Sequence, residues 1–250
     1  MLADFAIRLA CGLAMLLLMA PWRIIPPAFF RTHCQMILGL LAVAALDLAP
    51  GGAHSAVLAC VIAAAVLAFV ASVVWGLGLP RVGVPLTALL VGVSGGVLVG
   101  VSRGGGWELW ALNATGRLAS AFLMGATLTA MLLGHYYLTA PTMSIAPLKR
   151  FVRSMAWGLG ARVFVAGLGA MAWYSGMTDT PSGGGPAGLF LAIRWGMGVL
   201  GPLVATILAW KTVEIRSTQS ATGILYIAMM FVLFGELSAL ILARDTGVVC

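Results

Sequence analysis

The chain reads as an all-α, polytopic membrane protein of eight transmembrane helices, and three features carry that reading. Of its 250 residues, 62% are hydrophobic and only 8% charged, and the mean hydropathy is +1.07. A soluble domain keeps about a quarter of its residues charged so that its surface is wetted. The apolar residues gather in eight runs close to the roughly 20 residues that a helix needs to cross a bilayer. Pro- and Gly-rich punctuation separates the runs. In hydrocarbon only helices and closed barrels satisfy their own backbone polar groups, and these runs have helical length. This composition excludes a soluble enzyme, a nucleic-acid binder and a disulfide scaffold.

The first run, 2–20, carries Asp4 and Arg8. Arg8 interrupts it and no small-x-small cleavage site follows, so it is read as a span rather than a signal peptide. Pro21, Pro26 and Pro27 divide it from the second run, 32–49, which closes at Pro50, Gly51 and Gly52. The third, 55–78, ends before Pro80, and the short fourth, 84–101, before Arg103 and three glycines. Pro141 and Pro147 separate the fifth, 114–138, from the sixth, 154–176. Ser182, three glycines and Pro186 precede the seventh, 187–210, and the eighth is 221–243.

Charge gives a direction. Arg23, Arg31, Arg81, Lys149, Arg150, Arg153, Lys211 and Arg216 fall on one side of the spans. The other side holds Arg8, Arg103, Arg117 and Arg244, with Asp4, Asp47, Glu108, Asp179 and Asp245. Basic residues in short loops stay in the cytoplasm, so both termini are expected outside, in the inner membrane if the cell is bacterial. The net charge of +7 is then a topology and headgroup signal rather than a nucleic-acid footprint. Cys11, Cys34, Cys60 and Cys250 have no metal or redox spacing and read as small hydrophobes.

The chain forms one membrane domain with a candidate repeat, 1–110 and 111–250. A shift of 135 residues aligns Trp75 with Trp210, Arg81 with Arg216 and Thr87 with Thr222. Leu90, Val97, Leu98 and Gly100 match in the same frame, and an even number of spans per unit makes a parallel repeat of two four-helix units. Membrane patterning common to all spans is the competing explanation. Helices in lipid associate through small residues. Gly92, Gly96 and Gly100 are therefore expected to face the bundle, as are Gly158, Ala166 and Gly169, and Gly198, Gly201 and Ala205.

Ionisable groups at depth are costly and mark structure or function. Arg194 and Glu236 each lie about 10 Å inside the outer ends of consecutive runs, so they are expected to form a buried ion pair. The pair reads as a clamp or as part of a proton or anion pathway. Arg162 lies about 12 Å from the cytoplasmic end of its run with no acid at that depth. It is expected to snorkel, or to meet water, a lipid phosphate or an anionic ligand.

His33 opens the second run and His135 closes the fifth, both on the cytoplasmic side, while His54 lies in an outer loop. Imidazoles are common axial ligands of haem, so His33 and His135 are candidate ligands of a haem b iron, with Arg162 or Arg31 near its propionates. Headgroup contacts and capped helix ends compete with that reading. Tyr136, beside His135, forms with it a polar lip suited to a quinone ring. Hydrolase, kinase and metalloprotease patterns are absent, so independent catalytic activity is not expected.

These residues support three readings. The first is a subunit of an electron-transfer assembly, holding haem b or quinone near the cytoplasmic leaflet and partnered by other membrane or electron-carrier subunits. Its eight-helix layout in two units is similar to that of quinone-interacting membrane subunits, in architecture alone. The second is a small transporter or channel built on Arg194 and Glu236. The third is a structural subunit in which every buried charge is packing glue.

Overall fold

The computed structural model describes residues 1–50, 55–102, 106–139, 143–174 and 193–246. Side chains of residues 55, 170, 173, 174 and 242–246 are not described. The expected turns at 51–52, 103–105, 141 and 182–186 lie outside the described residues, as do His54, Asp179 and Cys250. Every element is helical: α1 (Leu2–Met19), α2 (Pro27–Leu48), α3 (Ser55–Gly76), α4 (Pro80–Gly100), α5 (Trp107–Thr139), α6 (Ala146–Tyr174), α7 (Ile193–Glu214) and α8 (Thr218–Thr246). Seven of them, α1 to α5, α7 and α8, are long and apolar enough over their described residues, by length and composition, to cross a membrane. Val66, Phe69, Leu89, Phe164, Val204 and Ile227 are exposed on the outside of the bundle. Large apolar side chains displayed in this way fit a surface bathed in lipid.

Several helices run past the apolar stretches that announce them. α5 begins at Trp107 rather than 114, and α6 at Ala146 rather than 154. Hydropathy marks only the part of a helix inside hydrocarbon, and a polar extension remains helical where its first turn is well made. At α6 the Ser144 hydroxyl receives the Ala146 N–H at 3.4 Å, and Pro147 sits in the first turn, where its missing donor costs nothing. Lys149, Arg150 and Arg153 follow inside the helix.

Neighbouring helices close two rings. α1 packs on α2, α2 on α3, α3 on α4, and α4 returns to α1. α5 packs on α6, α6 on α7, α7 on α8, and α8 returns to α5. The rings join chiefly where α1 crosses α5, and these two are the innermost helices, each 67% buried against 28% for α3 and α7. Their crossing rests on two glycines. A Cβ on Gly12 would strike the Ala121 carbonyl, and one on Gly125 would strike the Gly12 backbone. The two main chains therefore touch, as close helix pairs in lipid require.

The small-residue stripe of α4 behaves otherwise. A Cβ at Gly92, Gly96 or Gly100 would meet nothing within 4 Å. The buried stripe is Thr87, Leu90, Ser94, Val97 and Leu98, on the opposite face of the helix. Glycines at that spacing permit close approach without enforcing it, and here the bulkier face fills the core. α7 follows the expectation: Gly198 lies against Gly235, Gly201 against the Phe231 ring, and Ala205 is buried.

Gly12→Ala is expected to cost about 3 kcal/mol or more, because its neighbour is backbone and cannot repack. Gly96→Leu is expected to leave stability within the range of surface changes. Thermal unfolding of both variants in detergent checks the contrast.

Candidate functional site

The site begins at the N-terminal end of α1. Asp4 in its first turn suits the positive end of the helix dipole. One helical turn later, Arg8 donates from Nη2 to Asp4 Oδ2 at 2.7 Å, an i,i+4 pair. Asp4 Oδ1 accepts from Nη1 of Arg117 on α5 at 2.6 Å. The backbone N–H of Ala3 is held by Asp47, near the end of α2, at 2.9 Å.

From Arg8 the chain of bonds runs inward. Arg8 is 1% exposed, and its Nη1 donates to the Ser120 hydroxyl of α5 at 3.5 Å. Ser120 passes its own hydrogen to Glu236 Oε2 at 2.6 Å. Glu236 lies in α8 and is buried, accepting from Arg162 Nε at 2.8 Å and Nη2 at 3.3 Å. Arg162 is buried on α6. Six side chains from four helices thus form one charge-assisted network: Arg117, Asp4, Arg8, Ser120, Glu236 and Arg162.

Arg194, also buried, borders the same cleft with Trp195, Gly198, Val199 and Gly235. The cleft leaves about 10 Å³, about one water probe. The tight Gly198–Gly235 contact brings α7 and α8 together one turn from Arg194 and beside Glu236. At this level α7 is not an ordinary helix. Residues Gly196–Leu200 form a π-turn, and the Gly201 N–H reaches back five residues to the Gly196 carbonyl. Pro202 supplies the cause, since it has no N–H for the Gly198 carbonyl and its ring crowds that oxygen. Such wide turns are frequent at functional sites.

Two sequence expectations change here. Arg162 does have an acid at its level. The Arg162 side chain, projecting from the middle of α6, reaches the Glu236 carboxylate of α8. Glu236 was expected to bond Arg194, but the ion pair it forms among the described residues is with Arg162, and Arg194 flanks that pair.

The histidines have different surroundings. His33 is buried, its ring 4.0 Å from that of Phe29, and its Nδ1 lies 2.8 Å from the Phe29 carbonyl. A carbonyl only accepts, so Nδ1 carries the hydrogen and the buried Nε2, which has no hydrogen-bond partner among the described residues, keeps its lone pair. The Tyr136 ring meets the same Phe29 edge to face, ring centroids 6.4 Å apart. His135 is exposed, with Nδ1 3.5 Å from the Tyr226 hydroxyl of α8. His33 and Tyr136 are thus gathered around Phe29, while His135 is engaged by another helix. Among the described residues no cluster of three or more His, Cys, Asp or Glu could hold a metal ion.

Asp4, Arg8 and Arg117 read from sequence as outer-side charges, although the four-residue spacing of Asp4 and Arg8 inside an apolar run announces a local pair. Ser120 carries no such signal, being one small residue among many. No protein-family model matches the chain, and neither a curated protein nor a solved structure matches it.

Glu236→Gln is expected to cost roughly 3–5 kcal/mol by leaving Arg162 buried without its counter-charge, whereas Arg162→Met with Glu236→Met recovers most of that loss. A double-mutant cycle on unfolding in detergent reads the coupling directly, and simple additivity would mean that the two groups act separately.

Proposed function

We propose that the chain is a small membrane transporter or channel for protons or a small anion, with the Arg162–Glu236 pair as the element whose opening accompanies passage. The observation that carries this reading is the continuous line of donors and acceptors from Arg162 and Glu236 through Ser120 and Arg8 to Asp4 and Arg117. Charges held at depth are expensive. A clamp needs one pair, whereas this line reaches from the interior of the bundle to the first turn of α1. Arg194 borders the same cleft as the pair. In this reading α6 is the eighth crossing, the arginine-rich turns lie in the cytoplasm and both termini lie outside. The two rings of four helices are then a duplicated unit, with α3–α4 and α7–α8 in corresponding places.

A second reading rests on His33. Its fixed tautomer leaves Nε2 available to a haem b iron or a quinol hydroxyl, with Tyr136 against the same Phe29. This would make the chain the membrane subunit of an electron-transfer assembly with partner subunits. A Soret band, or quinone-analogue binding, that disappears in His33→Ala supports it, and a colourless protein that binds no analogue removes it.

Transport is tested in proteoliposomes by following proton and halide flux with entrapped dyes. Wild-type protein is expected to pass one of these ions, and Glu236→Gln that still elutes as a folded species is expected to lose at least 90% of that flux, about a tenfold change equivalent to 1.4 kcal/mol. Wild-type flux in folded Glu236→Gln would overturn the proposal, as would wild-type vesicles as tight as empty ones.

A further inference from the structure

A groove runs between α6 and α7, with a volume of about 640 Å³. Its walls are apolar along most of their length, represented by Leu159 and Val163 on α6 and Leu203 on α7. One end is cationic: Arg153 and Lys211 line it from opposite helices. The Arg153 guanidinium lies 5.6 Å from the centre of the Trp210 ring, which orients it. Both cations are exposed, and among the described residues no carboxylate pairs with either. From Arg153 to Val163 the groove is about 15 Å long, half of a hydrocarbon core of about 30 Å.

We propose that this groove is a binding site for one anionic phospholipid. The headgroup phosphate sits between Arg153 and Lys211, and an acyl chain lies along the apolar floor. The charge pattern decides between occupants. A zwitterionic lipid brings the same phosphate, but its ammonium offsets that charge and gains nothing from two cations, and an apolar helix from another chain would leave both cations without counter-charge. A guanidinium stacked on an indole keeps its in-plane N–H groups for phosphate, and Lys211 adds a compact ammonium. Trp210 marks the level at which headgroups lie. The proposal is independent of ion transport, because neither Arg153 nor Lys211 belongs to the Glu236 network.

The test uses the full chain in nanodiscs of mixed phosphatidylcholine and phosphatidylglycerol, followed by native mass spectrometry of the lipid that stays bound after release into detergent. Two basic side chains beside an anionic headgroup imply a preference of about thirtyfold for phosphatidylglycerol. Arg153→Gln with Lys211→Gln is expected to abolish the preference while the protein remains monodisperse. Arg150→Gln, exposed on the same turn of α6 but outside the groove, is expected to preserve it. Leu203→Trp is expected to reduce retention of both lipids by filling the floor. Retention without headgroup preference would overturn the assignment, as would a preference that survives in the double variant. Constant association of two copies that buries the groove would overturn it as well.

Discussion

The carboxylate of Glu236 is the group that the rest of the bundle must accommodate. In a lipid-embedded interior an ionised carboxylate needs a counter-charge and filled lone pairs. Its direct donors come from two helices, α6 through Arg162 and α5 through Ser120. The second of these is reached from α1 by Arg8. That connection depends on packing: the Gly12–Gly125 contact sets α1 against α5 so closely that Arg8, one turn away from Gly12, reaches Ser120. The tightest apolar contact and the longest polar network are two aspects of one junction. It is also the place where the two rings of helices meet.

Such a junction trades flexibility for definition. Van der Waals packing of small residues holds helices together in lipid but specifies their rotation weakly. Hydrogen bonds with fixed donors and acceptors supply what glycine contacts lack, because only one rotation of α1 brings both Arg8 onto Ser120 and Asp4 onto Arg117 of α5. The remaining helices are less constrained. α3 and α7 expose most of their apolar surface, and α6 with α7 leaves an open groove rather than a sealed seam.

The helical membrane architecture was legible because composition and run length are global signals that survive local errors. Helix ends were less legible, since hydropathy stops at the hydrocarbon boundary while the α6 backbone continues back to Ala146. The partner of Arg162 was hidden for another reason: its long side chain crosses from α6 to Glu236 of α8. Glu236 was recognised as a buried acid, and its neighbourhood with Arg194 follows from the meeting of Gly198 and Gly235. Which arginine it bonds depends on side-chain reach across three helices, which spacing along one chain does not encode. The glycines of α4 show the converse limit, for a stripe that could receive a neighbour need not have one. Ser120 was invisible because its role exists only between α1 and α8.

The wide turn that Pro202 imposes on α7 has a mechanical corollary. A π-turn holds one residue more than the regular spiral, so everything on its N-terminal side is turned by about 100° relative to everything beyond it. Arg194 stands before the turn, and Leu203 with Trp210 after it. Displacing the surplus residue toward the helix end would swing the Arg194 guanidinium about a quarter of the way round the axis while the wall lining the lipid groove stayed in place. The proline fixes where that torsional slack is stored, directly beside the buried Arg162–Glu236 pair.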